Sequence, residues 1–321
     1  MTLSRRLVLG SLATPLLARG ALAQAPRPLR VVVAFAVGGL TDVVARILAE
    51  HMTITLGRPL VIDNQGGAGS TIGATTVARA APDGNTILVG SVGHSAMAAL
   101  YSNFPFDPIT SFAPVALVTR QPFVVAVHPG VPATDVPSFL AWLRGRNGEA
   151  NFGTAGIGAS SHLAAELLRK LTGANFTVVP YRGTPQAVAD LTAGRVDFMI
   201  DSQTLLGPLM ADGRVRGLAV TSAQRSTMLP QLPTLAEAGV TGYDASAWQA
   251  MYAPANTPDA VLRPIADAAA RALRDPGVQA RLAAAGVDAF ADPSPEAARA
   301  HLAIEVAKWG GLVRELGIRP G

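Results

Sequence analysis

A protein that does covalent chemistry must bring a nucleophile, a proton carrier or a metal to its substrate, and few residues of this chain are spaced for any of them. Its five histidines, at 51, 94, 128, 162 and 301, lack the separations that gather a metal. It has no cysteine, which excludes disulfides, thiolate metal sites and lipid attachment to an N-terminal cysteine. No Gly-x-Ser-x-Gly elbow, His-Glu-x-x-His helix or phosphate loop with its lysine occurs. Gly156-x-Gly158 has Ser161 where a dinucleotide fingerprint needs a third glycine. Ser160 or Ser161 beside His162 sets a hydroxyl next to a base, but adjacent residues at a helix start point apart, and helix capping is the simpler role. No cofactor, no metal and no catalytic residue is expected.

Binding of an anion is the chemistry that remains. From Arg30 to Leu56 the chain reads as an apolar strand, Val31-Val32-Val33-Ala34-Phe35, then Gly38-Gly39, then an amphipathic helix with Val44, Ile47, Leu48 and Leu56 at helical spacing. The two glycines permit backbone angles closed to other residues and leave the main chain open to a ligand, and Thr41 is placed to cap the helix. A helix start carries unsatisfied N–H groups and partial positive charge, so the turn is a candidate anion seat. An ordinary strand-to-helix turn is the alternative.

A second glycine-rich helix start of the same character runs from Gly153 to His162, with Thr154, Ala155, Gly158, Ala159, Ser160 and Ser161 along it. Asp42 is either an acid stabilised on the first helical turn or a contact for a ligand ammonium or hydroxyl. Asp201, ending the apolar run Val196 to Ile200, is either a cap or a polar contact in a cleft. His94, after Ser91 in a third glycine loop, and Tyr181 either line that cleft or support it.

Strands, glycine loops and helices alternate, with strands at Leu60-Val61-Ile62 and Thr86 to Val89, the pattern of a mostly parallel sheet flanked by helices. Ligands of such sheets lie beyond the carboxyl ends of the strands, the edge that the loops after Phe35, Ile62 and Val89 share. Extended segments at Pro122 to Pro129 and Trp248 to Ala253 read as two crossings between domains. This gives residues 24–124 with 248–321 as one domain and 125–247 as the other, with a hinge between them. Thr234-Leu235-Ala236-Glu237 predicts a capping box on a short helix, and Ser294-Pro295-Glu296 starts a long last helix.

Ahead of the first strand, Arg5-Arg6, an apolar run from Leu7 to about Ala18 and Ala21-Leu22-Ala23 make a secretory signal peptide cut after Ala23. The paired arginines also fit the twin-arginine export pattern. Removing residues 1–23 takes away three arginines and no acid. The basic count becomes 26 − 3 = 23 against 22 acidic residues, and the formal charge falls from +4 to +1. A nucleic-acid or membrane-surface partner would therefore rest on the discarded peptide. No later apolar run reaches the roughly 18 to 20 residues of a membrane span.

Taken in order, Gly38-Gly39-Leu40-Thr41-Asp42 with Ala45-Arg46, Gly67-Ala68-Gly69, Ala81-Pro82-Asp83-Gly84, Phe112-Ala113-Pro114-Val115, Gly158 to Leu163, Val179 to Gly183, Gly194-Arg195-Val196-Asp197, Ala219 to Ser222 and Pro233 to Gly239 are similar to the Bug family of extracytoplasmic receptors, the solute-binding components of tripartite tricarboxylate transporters. The resemblance spans essentially the whole mature chain. Departures are Ala36 and Val37, where the family usually has prolines, Gln65-Gly66 in place of Arg-Pro, and Asn85 in place of an aromatic. It implies an α/β, two-domain, type II periplasmic binding protein that closes on a carboxylate held by the two glycine-rich loops. The candidate ligand residues are then Phe35, Gly38, Gly39, Thr41, Asp42, Ser91, His94, Thr154, Ala155, Gly158, Ala159, Ser160, Ser161 and Asp201. The implied partners are a small carboxylate and integral membrane transporter subunits, with the receptor a periplasmic monomer. A secreted hydrolase or a ligand-sensing module on the same scaffold is the alternative.

Overall fold

The computed structural model describes residues 27–67, 70–101, 104–181 and 183–319. The signal-peptide reading of residues 1–23 lies outside them. The first stretch alternates β1 (Leu29–Val33), α1 (Leu40–Leu56), β2 (Leu60–Asn64), α2 (Thr71–Ala78), β3 (Thr86–Ser91) and α3 (Val92–Leu100). The long strand β4 (Phe112–Val127) leads to α4 (Val136–Gly145), β5 (Asn151–Thr154), α5 (Ser160–Thr172), β6 (Thr177–Pro180), α6 (Thr184–Thr192), β7 (Phe198–Ser202), α7 (Gln203–Ala211) and β8 (Arg216–Val220). The chain returns through β9 (Ser246–Pro254), α8 (Asp259–Arg274), α9 (Pro276–Ala284), β10 (Asp288–Ala289) and α10 (Pro295–Leu316).

Strand order along the curled sheet is β2-β1-β3-β9-β4-β7-β5-β6, with β8 and β10 also paired to β4. Each half holds a parallel trio, β2-β1-β3 and β6-β5-β7, against antiparallel crossing strands. β1 is buried on both faces, as its run of β-branched residues requires: Val31 and Val33 pack towards α1 and α8, and Val32 packs into the opposite cluster. α1 turns Val44, Ile47, Leu48 and Met52 into the core and ends at Gly57, whose φ of 62° suits a residue without Cβ.

β4 changes partners within one strand. Phe112 to Pro122 pair with β9, Phe123 to Val127 pair with β7, and Val124 to Val127 pair also with β8. Thr221 Oγ1 accepts the Phe123 amide at 2.8 Å and donates to the Ala245 carbonyl at 2.6 Å, so the two crossings are fastened side by side where Pro122 faces Ser246. α10 runs behind both halves. Trp248 and Trp309 each donate to Glu305 Oε2, at 2.7 and 2.6 Å, Lys308 Nζ donates to the Asp244 carbonyl at 2.5 Å, and Lys170 of α5 pairs with Glu315 at 2.5 Å.

Four local expectations are corrected. Gly39, not Thr41, is the N-cap of α1, and Thr41 lies within the helix, buried. The stretch after Ser91 is helix α3 rather than a glycine loop. The Thr234–Glu237 box forms both its reciprocal bonds, at 2.9 and 3.0 Å, but encloses a single turn and no helix. α5 is preceded by Ala159 at its N-cap, with no side-chain cap from Ser160 or Ser161.

Candidate functional site

The strand-to-helix turns of the two halves have the same construction. Gly38 and Gly158 take φ of 79° and 81°, a left-handed conformation that excludes most side chains. The next residue is the N-cap in extended conformation, Gly39 in one half and Ala159 in the other. In each turn the N-cap amide donates back to a carbonyl at 3.2 Å, Gly39 to Ala36 and Ala159 to Gly156. Gly39 itself has φ of −71°, so the expectation that both glycines of the first turn need special angles holds for Gly38 alone.

The first intrahelical bonds are Val43 N to the Gly39 carbonyl and Leu163 N to the Ala159 carbonyl, both 3.0 Å. Ahead of them the amides of Leu40, Thr41 and Asp42, and of Ser160, Ser161 and His162, find no backbone acceptor among the described residues. Both helix starts follow the C-terminal ends of parallel strands, the edge at which such sheets bind ligands. Ala36, Val37, Gly38 and Gly39 are exposed, and Ala155, Gly156, Ile157, Ala159 and Ser160 are half-buried. Neither turn carries a lysine or arginine, so an anion held here meets amides, hydroxyls and helix dipoles.

Below each turn, one side chain four residues after the glycine takes the glycine amide. Asp42 Oδ2 accepts from Gly38 N at 2.9 Å and from Arg46 Nε at 3.0 Å, while Oδ1 accepts from Asn64 Nδ2 at 3.0 Å. Asn64 Nδ2 also donates to the Phe35 carbonyl at 3.1 Å. Burial works to raise the Asp42 pKa, but the hydrogen bonds from Arg46, Gly38 and Asn64 outweigh it and lower the carboxyl below its ordinary range. Asp42 is thus turned inward as a staple for the Phe35–Gly39 turn. In the second half His162 Nδ1 accepts from Gly158 N at 3.2 Å. Neither serine pairs with that ring nitrogen: Ser161 Oγ instead meets Thr154 Oγ1 at 3.0 Å, both residues buried.

Other candidates stand further back. His94 is fully buried, stacked on Tyr252 at 4.9 Å between centroids and edge-on to Phe112 at 4.6 Å. Its Nε2 donates to the Pro108 carbonyl at 3.0 Å, and burial lowers its pKa to about 4. It supports the wall behind β3. Ser91, also buried, ends β3 as the N-cap of α3. Tyr181 donates to Asp190 at 2.6 Å, its hydroxyl pushed up to about 12 by burial and that carboxylate. Asp201, near the end of β7, pairs in register with Val124 of β4 and lies two residues past Met199, the partner of Gly153. Its Oδ1 accepts the Ser202 amide at 2.7 Å and its Oδ2 accepts from Thr184 Oγ1 at 3.5 Å; among the described residues no cation pairs with it, and burial pushes its carboxyl up to about 6.

Sequence reasoning missed Asn64, whose only signal was a polar residue closing an edge strand. It also missed the approach of the halves at Gly158, where a Cβ would stand 2.6 Å from Leu100 Cδ1 of α3. Gln203 likewise reaches from α7 to donate to the Gly286 carbonyl at 2.9 Å. Gly66 lets the loop after β2 touch the turn after β1, since a Cβ there would lie 2.9 Å from the Ala36 amide nitrogen. Among the described residues no cluster of side chains could hold a metal ion, and no helix is long and apolar enough to cross a membrane.

Comparison with known proteins bears on this geometry. Residues 44–318 match the family described as tripartite tricarboxylate transporter family receptor. The solved structure of the periplasmic binding protein BugD is 38% identical, with a TM-score of 0.82 over 92% of this chain and 99% of that one. MatC from Rhodopseudomonas palustris, solved with bound malate, is 34% identical, with a TM-score of 0.81 over 90% of this chain and 99% of its own. A second R. palustris protein, solved with adipate, is also 34% identical, with a TM-score of 0.83 over 92% and 99%.

Proposed function

This chain belongs to the tripartite tricarboxylate transporter family of receptors, and from that premise we propose that it captures a small carboxylate between the turns at 35–42 and 154–161 and delivers it to integral membrane subunits of such a transporter. The observation that carries the reading is the matched pair of turns. Two helix starts with unengaged amides lie at the ligand-binding edge, with no cationic side chain on either turn. Hydrogen bonds to a charged group contribute about 1.5 to 3 kcal/mol each, and micromolar binding needs only about 8 kcal/mol. An arginine clamp is therefore unnecessary.

The receptor works in the periplasm as a monomer, after loss of residues 1–23, and carries out no chemistry on its ligand. Its two halves, 24–124 with 248–321 and 125–247, swing about the crossings at Pro122 and Ser246, and ligand favours the closed arrangement. The malate and adipate bound by relatives supply the first probes. Calorimetry with these and other mono- and dicarboxylates is expected to give one site per chain with the ligand recovered unchanged, and small-angle scattering is expected to show compaction. Absence of binding across the panel, or turnover of the bound acid, overturns the proposal.

A further inference from the structure

The Gly158 amide can donate to Nδ1 of His162 only if that nitrogen is unprotonated, so the ring proton sits on Nε2, which lies 3.6 Å from Glu166 Oε1. The residue is 3% exposed. In the other half, the same amide four residues upstream is taken by Asp42 Oδ2 at 2.9 Å. Aspartate Oδ and histidine Nδ1 each stand two bonds beyond Cβ, so the two side chains place an acceptor at the same point beneath equivalent turns. The chemistry differs in one respect. Arg46 and Asn64 keep the Asp42 carboxylate charged, whereas His162 accepts only while neutral.

We propose that neutral His162, with its proton on Nε2, is a positioning residue of the ligand site: it holds the Gly156–Ala159 turn so that the α5 amides face the ligand, and its protonation frees the turn and weakens binding. This rests on the reading of the two turns as the anion seat. A proton on Nδ1 would set a donor against the Gly158 donor in a buried place, removing the bond and opposing two N–H groups. Among the described residues the charged groups that pair around the ring, Glu166 and Arg169, are both on α5. Burial and then Arg169 lower the His162 pKa to about 4, and burial raises that of Glu166. The ring therefore stays neutral at ordinary pH and loses its role in acid.

Nitrogen NMR of the ligand-free protein at about pH 7 reads the tautomer directly. Nδ1 is expected to be unprotonated and Nε2 protonated; the opposite tautomer overturns the assignment. Malate binding by calorimetry from about pH 7.5 to about pH 4 then compares the parent with His162→Asn, whose Oδ1 supplies an acceptor that does not titrate. The acid's own protonation is common to both proteins. The parent is expected to lose about twofold more affinity than His162→Asn by about pH 4, where half its rings carry the second proton, and His162→Leu to bind at least tenfold more weakly than the parent at neutral pH. Parallel pH curves for the parent and His162→Asn overturn the proposal, whatever the folding of the leucine variant. Where malate does not bind at neutral pH, the acid of the panel that does bind serves as the probe; a parent that binds none of them overturns the functional reading, and the tautomer still decides the role of His162.

Discussion

Leu100 and Gly158 meet across the two halves of the molecule: the leucine, at the end of α3, occupies the space into which a Cβ on the glycine would project, at 2.6 Å from Cδ1. Gly158 also has φ of 81°, so a side chain there is opposed by contact and by backbone conformation. Gly158→Ala is expected to cost about 2 to 3 kcal/mol in denaturant unfolding. In a Leu100→Ala background only the conformational part remains, about 1 to 2 kcal/mol. A double-mutant cycle measures the difference, and strictly additive losses would refute the contact.

Gly38 and Gly39 separate backbone strain from ligand access. Gly38→Ala, at φ of 79° with open space around it, is expected to destabilise the protein by about 1 to 2 kcal/mol. Gly39→Ala, at φ of −71° but with its Cβ 3.2 Å from the Ala36 carbonyl oxygen and alanine a poor N-cap, is expected to cost less than Gly38→Ala, about 0.5 kcal/mol. Gly39→Val sets a branched side chain beside the α1 amides and is expected to lose most ligand-induced stabilisation while remaining folded. A folded Gly39→Val protein that binds carboxylates as tightly as the parent would remove the first turn from the site.

Replacing Asp42 with asparagine withdraws an acceptor shared by Gly38 and Arg46. A loss of about 1 to 3 kcal/mol in stability is expected, with weakened binding as a consequence of the loosened turn. Because the folded carboxyl is lowered, its stabilisation is present above the unfolded value of 3.8 and fades as pH falls through the folded pKa. Asp42→Asn should therefore approach the parent in stability only in strong acid.

Asp201 behaves in the opposite sense. Its carboxyl titrates near 6 in the folded chain against 3.8 when unfolded, so the folded state holds the extra proton between those values and loses stability as pH rises through them. Asp201→Asn keeps an acceptor for the Ser202 amide and sets an Nδ2 donor where Oδ2 accepts from Thr184, whose hydroxyl can turn to accept it. It is expected to raise stability by about 1 to 3 kcal/mol near pH 8, with the gain vanishing near pH 4. His94 and His162 oppose this trend, since both are lowered from 6.5 to about 4 and lose their contribution as pH falls across that interval. Unfolding curves at several pH values test both signs.

Much of the fold was legible where local signals agreed with packing. The strand, glycine turn and helix from Arg30 to Leu56 announced themselves through β-branched residues, Gly38 and an apolar stripe, and α10 through Ser294, which accepts the Ala297 amide at 3.1 Å. α3 escaped notice because Gly93 lowers helix propensity, and what makes it a helix is the burial of Val92, Ala96, Met97 and Leu100, which is set by distant residues. β4 was read only from Pro122 onward, since prolines argue against a central strand; register shifts after Pro114 and Leu117 accommodate the irregularity. α7, with Gly207 and Pro208 in it, carried no helical signal at all. For the site, glycine chemistry exposed both turns, but the inward aim of Asp42, the tautomer of His162 and the burial of His94 depend on tertiary neighbours that spacing alone does not reveal.

Ala36 and Val37 stand on the exposed side of the first turn, Val37 at 72% exposure, and the bonds that shape that turn come from Asp42, Asn64 and main-chain groups. Their side chains are thus free of the scaffold. Substitution at these two positions is therefore expected to cost little in folding, so a small library there would test whether ligand choice can change while the frame stays as it is.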